Sequence, residues 1–373
     1  MRLFKDFRFI FILYILLGIT VGIQQYLLGS YNNFTIFRHS VFHFFDHLNP
    51  YLEYPREYDD LFLYNPSFII FFIPIAFLPI SIGIPVWAVL NVVVFYVAIK
   101  SLPVNDSSKF LIYYLIIPEL IASIGNLQTN TLIAAFIILS MTLLEKNNTG
   151  KASIFPALNF FIKGYGGIAA VFFLLKKPRN KSFVYLFLAF LATGILPLLF
   201  YSFEEFKTLY QQWFSSLSND YTVNVGVSVM ALVKTTLFEN ASVSVIQLIG
   251  VALFLVTLAA IVIKGGYEII KYNFLPYVLI WVIIFNHAAE PSTYVIASTG
   301  ALFWYVTSPK KLFDKLLIFL FFIITEMSFS DLFPRYIREH IIQPYALKSL
   351  PCLLIWLRIQ ISILKTIFNP KVA

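Results

Sequence analysis

Residues 9–28 read FIFILYILLGITVGIQQYLL, twenty consecutive positions without a charge, after an opening MRLFKDFR that carries Arg2, Lys5 and Arg8. As a helix this run is about 30 Å long, the thickness of a bilayer's hydrocarbon core. Lipid offers backbone groups no hydrogen-bond partner, so the run predicts a membrane-spanning helix. Further apolar runs cover 183–202, 243–263 and 312–325. With 59% hydrophobic and 12% charged residues, the chain lacks the polar surface of a water-soluble domain. The fold class expected is all-α: a polytopic transmembrane helical protein in one domain, residues 1–373, crossing the bilayer about ten times or more.

The formal net charge of +8 sits in short clusters between apolar runs, the pattern that marks cytoplasmic loops, and it is read as topology with no nucleic-acid partner. The basic N-terminus is expected in the cytoplasm, with the first apolar run retained as a span. Outer loops are then expected at 29–65, 203–241 and 330–347. A single cysteine, Cys352, rules out a disulfide within the chain.

Several apolar runs are interrupted. Pro66, Pro74, Pro79, Gly83 and Pro85 predict two helices within 66–100, with a turn near 79–85. Helices are expected at 109–123 and 128–144, separated by Gly125, Asn126, Gln128 and Asn130. The run 152–175 has basic clusters on both sides and Lys163-Gly164-Tyr165-Gly166-Gly167 at its centre. It is expected to form two half-helices whose break lines a polar cavity. Spans at 275–289, 291–307, 311–329 and 349–367 complete the pattern.

Candidate chemistry falls in the first outer loop and at these breaks. The loop gathers Asp46, Glu53, Glu57, Asp59 and Asp60 among aromatics. Asp59 and Asp60, just before the Tyr64-Asn65-Pro66 entry to the membrane, are candidate general bases; the same acids also suit the solvated face of an interfacial segment. His39, His43 and His47 recur every four residues, a helical spacing that can ligate a metal. It equally fits an amphipathic helix lying on the bilayer with Phe34, Phe37, Val41, Phe42 and Phe45 in the interface, and no metal or cofactor is assigned. Polar groups inside spans are costly without partners, which singles out Asn126, Gln128 and Asn130, then Lys163, then Asn286, His287 and Glu290, then Asn224 and Ser228. His287 and Glu290, three apart, would share a helix face and present a cationic imidazole to a phosphate. Arg335 and Arg338 are candidates for lipid phosphate.

In this order the motifs resemble those of the polyprenol-phosphate-mannose-dependent glycosyltransferases of family 87, within the GT-C membrane superfamily. The carriers are YNPSFIIFFIPIAFLP (64–79) with Trp87, NLQTNTLI (126–133), ALNFFIKGYGG (157–167), FLLKKPRN (173–180), NVGVS (224–228) and FNHAAEPSTY (285–294). The resemblance implies a GT-C-like body of about 10–12 full and broken helices. It implies transfer of a hexose, mannose by family, from a polyprenyl-phosphate-sugar donor to a lipid or glycan acceptor at the outer face of a bacterial inner membrane. Tyr64, Asn126, Gln128, Asn130, Lys163, Ser228, Asn286, His287 and Glu290 are then substrate-binding candidates, and Asp60 or Asp59 the base. The chain departs from the family where an aspartate is expected soon after the first span. That place falls on Asn32 or Asn33, and an amide cannot act as a base. A transporter or flippase of a lipid-linked sugar is the alternative, with the same residues lining a path.

Overall fold

A computed structural model describes residues 3–220, 225–264 and 267–369. Arg2 and Asn224, both singled out above, lie outside them. The described residues are helical, with no strand among them. In chain order the helices are α1 (Phe7–Leu28), α2 (Asn32–Phe45), α3 (Pro66–Ala76), α4 (Ile80–Ser101), α5 (Asp106–Leu115), α6 (Ile117–Gly125), α7 (Asn130–Glu145), α8 (Thr149–Ile162), α9 (Val171–Leu175), α10 (Arg179–Gly194), α11 (Phe203–Asp220), α12 (Val229–Thr236), α13 (Val243–Lys264), α14 (Tyr267–Ile284), α15 (Tyr294–Thr307), α16 (Leu312–Phe321), α17 (Arg335–Ile337) and α18 (Ser349–Phe368). Four of them, α1, α4, α13 and α18, are long and apolar enough to cross a membrane. A fifth span results if α5 and α6 count as one, bent by 51°. Pro118, second in α6, withholds the backbone donor that would continue α5, which is why 109–123 is not one straight helix. Several of the other apolar runs are cut by proline or polar breaks into helices of 10–17 residues.

The chain forms two compact units. The first comprises residues 1–101, 124–170 and 180–223. Within it α1 lies against α4 because Gly18 and Gly22 present no side chain. A Cβ at Gly22 would stand 2.6 Å from the Cα of Pro85, and one at Gly18 3.1 Å from the Cα of Val89. The turn expected near 79–85 comes earlier. Pro79 closes it, and its carbonyl already accepts from Ile82 and Gly83, so Gly83 and Pro85 sit inside α4, Pro85 against α1 and Gly83 against Phe34 of α2.

The segment between α1 and α3 packs on the protein more closely than an interfacial helix and turn would. Phe34, Phe37, Val41 and Phe44 of α2 are buried in the protein. Phe37 meets Tyr64, Phe68, Phe72 and Trp87 edge to face, with ring centroids 4.7–6.3 Å apart. This face of α2 therefore packs on α3 and α4 rather than in lipid, which corrects the bilayer-interface expectation for Phe34, Phe37 and Val41. Ser202 and Glu205 cap the start of α11 reciprocally, the Ser202 N–H and hydroxyl donating to Glu205 Oε2 at 2.9 and 2.6 Å.

The second unit comprises residues 102–123, 171–179 and 224–373. Several of its buried polar groups are paired across helices. Tyr277 donates to Thr257 Oγ1 at 3.2 Å, Gln360 donates to the same oxygen at 3.0 Å, and the fully buried Lys348 ammonium meets Glu119. Residues 225–228 dock on the turn after α14: the Val227 N–H donates to Ala289 O at 2.6 Å, and Tyr294 donates to Val227 O at 2.6 Å. Gly226 permits this approach. Its φ is +50°, and a Cβ there would lie 2.3 Å from Ala289 O. Gly226→Ala should therefore destabilise the purified protein by about 1–3 kcal/mol in thermal unfolding. Gly164→Ala, where an added Cβ meets nothing within 4 Å, should leave the midpoint unchanged.

Candidate active site

Two breaks foreseen from the sequence form one polar cluster in the first unit. The α8 helix ends at Ile162 and Lys163 is extended, with φ −135° and ψ 117°, before a 3-10 turn over Gly164–Ala170. The other break, 126–129, separates α6 from α7, with Leu127 at φ +53°. Trp87 fastens this second break by donating its indole N–H to Leu127 O at 2.8 Å.

Lys163 reaches from one break to the other. Its ammonium donates to Gln128 Oε1 at 3.0 Å and to Asn130 Oδ1 at 3.2 Å, and it stands 5.4 Å from the ring centroid of Tyr64. Asn130 itself donates to Gln128 at 3.2 Å, and the Tyr64 hydroxyl lies 3.3 Å from Thr129 Oγ1. No carboxylate stands within 4.0 Å of the Lys163 ammonium among the described residues. A half-buried cation held by two amide carbonyls and a ring keeps most of its charge available to an anion.

Asn32 and Asn33, consecutive in the first turn of α2, extend the cluster in two directions. Asn33 donates to Asn126 O and Oδ1 at 2.9 and 3.0 Å. Asn32 grips the backbone of Asp59 from both sides, donating to Asp59 O at 2.6 Å and accepting from Asp59 N at 2.9 Å. Asn32 and Asn33 thus tie the acid-bearing loop to the segment that holds Lys163. Both acids are exposed, as the solvated face of a surface segment would be. Asp60 adopts φ +78° and accepts from Leu61 N at 2.8 Å.

The chain matches the description "Glycosyltransferase family 87" over residues 62–309, two thirds of its length. It belongs to glycosyltransferase family 87. The protein is accordingly a membrane glycosyltransferase, which decides between the enzyme and the transporter readings. No curated protein matches it. Tyr64, Asn126, Gln128, Asn130, Lys163, Ser228, Asn286, His287 and Glu290 of this transferase lie inside the matched stretch; Asp59 and Asp60 immediately precede it.

The remaining candidates belong to the second unit. Asn286, His287 and Glu290 do not share a helix face. The α14 helix stops at Ile284, Asn286 Oδ1 accepts from Ala288 N at 3.0 Å in a local turn, and Pro291 disfavours helical backbone at Glu290. Glu290 accepts from the Ser292 hydroxyl at 3.3 Å. Ser228 is fully buried as the N-cap of α12, accepting from Ala231 N and donating to Val225 O at 2.7 Å. Arg335 pairs with Glu339 at 2.6 Å, and Arg338 donates to Ser330 O at 3.2 Å.

The histidine series also divides. Glu57 Oε2 lies 2.8 Å from His39 Nδ1 and 2.8 Å from His43 Nε2. His47, beyond the end of α2 at φ +57°, turns away to Glu205, 2.9 Å distant. Sequence reasoning missed the partnerships of Asn32 with Asp59 and of Glu57 with two histidines. Neither follows a helical interval.

Proposed function

We propose that this family 87 transferase moves a hexose, mannose by family resemblance, from a polyprenyl-phosphate-sugar donor to a lipid or glycan acceptor at the outer face of a bacterial inner membrane, with its N-terminus cytoplasmic. The observation that carries the reading is Lys163, a cation at a helix break whose protein partners are neutral. It suits a phosphate that is already anionic in the donor and gains charge as its bond to the sugar breaks.

In this scheme a carboxylate of the Asp59–Asp60 pair accepts the proton of the acceptor hydroxyl. The hydroxyl oxygen bonds to the anomeric carbon, the carbon–phosphate oxygen bond breaks, and the lipid phosphate leaves with that electron pair, inverting the anomeric centre. Lys163 receives the departing charge, while Gln128, Asn130 and Asn126 orient the ammonium and the sugar. Tyr64 offers a ring face to either. Ser228, Asn286, His287 and Glu290 are assigned to substrate contacts on motif order alone.

The test is purified protein with radiolabelled polyprenyl-phosphate-mannose and a membrane-lipid extract as acceptor. Appearance of labelled product together with free carrier phosphate is the expected result. A donor recovered intact, or a preference for another polyprenyl-phosphate sugar, rejects the donor assignment.

A further inference from the structure

A second constellation lies outside the family-matched stretch. On α2, His39 and His43 are four residues apart on one face. The loop that follows turns back so that Glu57 N–H and Tyr58 N–H both donate to Tyr54 O, at 2.8 and 3.1 Å, and this turn presents the Glu57 carboxylate to the two imidazoles. One oxygen of Glu57, Nδ1 of His39 and Nε2 of His43 all lie within 4.8 Å of one another. Donors in a tetrahedral shell with bonds of about 2.1 Å stand about 3.4 Å apart, so small shifts of the half-exposed Glu57 side chain complete the geometry.

The surroundings hold these donors in place. The His43 ring is buried and stacks on Tyr54, with centroids 3.8 Å apart and planes 29° from parallel. Tyr54 is fixed in turn by its hydroxyl, which donates to Asn49 O at 2.8 Å, and Tyr58 closes the other side, 5.9 Å from His39 and 6.3 Å from His43.

We propose that His39, His43 and Glu57 bind a divalent transition metal, zinc by their chemistry, with a fourth position open to solvent. Two imidazole nitrogens and one carboxylate oxygen are a zinc-type set, whereas magnesium and calcium favour all-oxygen shells. The metal would cross-link α2 to the loop whose next residues are Asp59 and Asp60, ordering that loop independently of which sugar is transferred.

The experiment uses tag-free, full-length protein in detergent, stripped with chelator and titrated with zinc chloride, with metal content measured after gel filtration. About one equivalent of zinc should be retained, and cobalt in its place should give the visible absorption of a tetrahedral site. His39→Ala and Glu57→Gln, at partly exposed positions that spare the buried His43 ring, should each weaken zinc binding by about 100-fold or more with an unchanged elution profile. His47→Ala, whose histidine pairs with Glu205, should retain the zinc. Absence of stoichiometric zinc, or either variant binding as tightly as the parent protein, overturns the proposal.

Discussion

Lys163→Met should lower sugar transfer by about 10²–10³-fold while the protein remains folded. Methionine keeps the volume of the side chain and removes only its charge and donors. The loss should fall on kcat, because the charge on the lipid phosphate grows as its bond to the sugar breaks, and an interaction stronger in the transition state than in the ground state raises kcat. The fold should tolerate the change, since Asn130 still donates to Gln128 at 3.2 Å and Trp87 still fastens Leu127. Steady-state kinetics beside thermal unfolding would separate the two effects. Full transfer by Lys163→Met would refute the phosphate assignment, and a collapse in stability would instead mark Lys163 as a structural link between the two breaks.

The Asp59→Asn, Asp60→Asn double variant should lose transfer by about 10²–10⁴-fold, the usual contribution of a positioned general base. Asparagine is close in size and cannot take the proton. The loop should keep its place, because Asn32 holds Asp59 through the backbone N–H and C=O, which the substitution leaves untouched. A lipid-linked acceptor with an unchanged KM and a reduced kcat is the expected signature. Transfer at the parent rate would mean that the base lies elsewhere, and the acids would then be no more than a solvated turn.

The two variants probe features that were legible to different degrees. The break at Lys163 could be read in advance because glycines and a lysine in an apolar run are incompatible with a continuous lipid-facing helix. The break at 126–129 was legible for the same reason. The Ser202 and Glu205 pair has the spacing of a capping box, and Gly18 and Gly22 the spacing of a close helix contact. By contrast, the proline pattern puts the turn within 66–100 too late, since the prolines alone do not say which of them α1 covers.

The sequence by itself determined that this chain is a helical membrane protein, that polar breaks fall before Asn130 and at Lys163, and that its motifs follow those of family 87. These are properties of lipid solvation, backbone donors and local periodicity, and they act over a few residues. Only the tertiary structure decided which polar groups meet: Lys163 with Gln128 and Asn130, Asn32 with the backbone of Asp59, Glu57 with His39 and His43 while His47 turns to Glu205. Such partnerships join positions from 14 to 158 residues apart. They depend on how α2, α7 and α8 and the loop after α2 pack against their neighbours, and spacing along the chain carries no record of that packing.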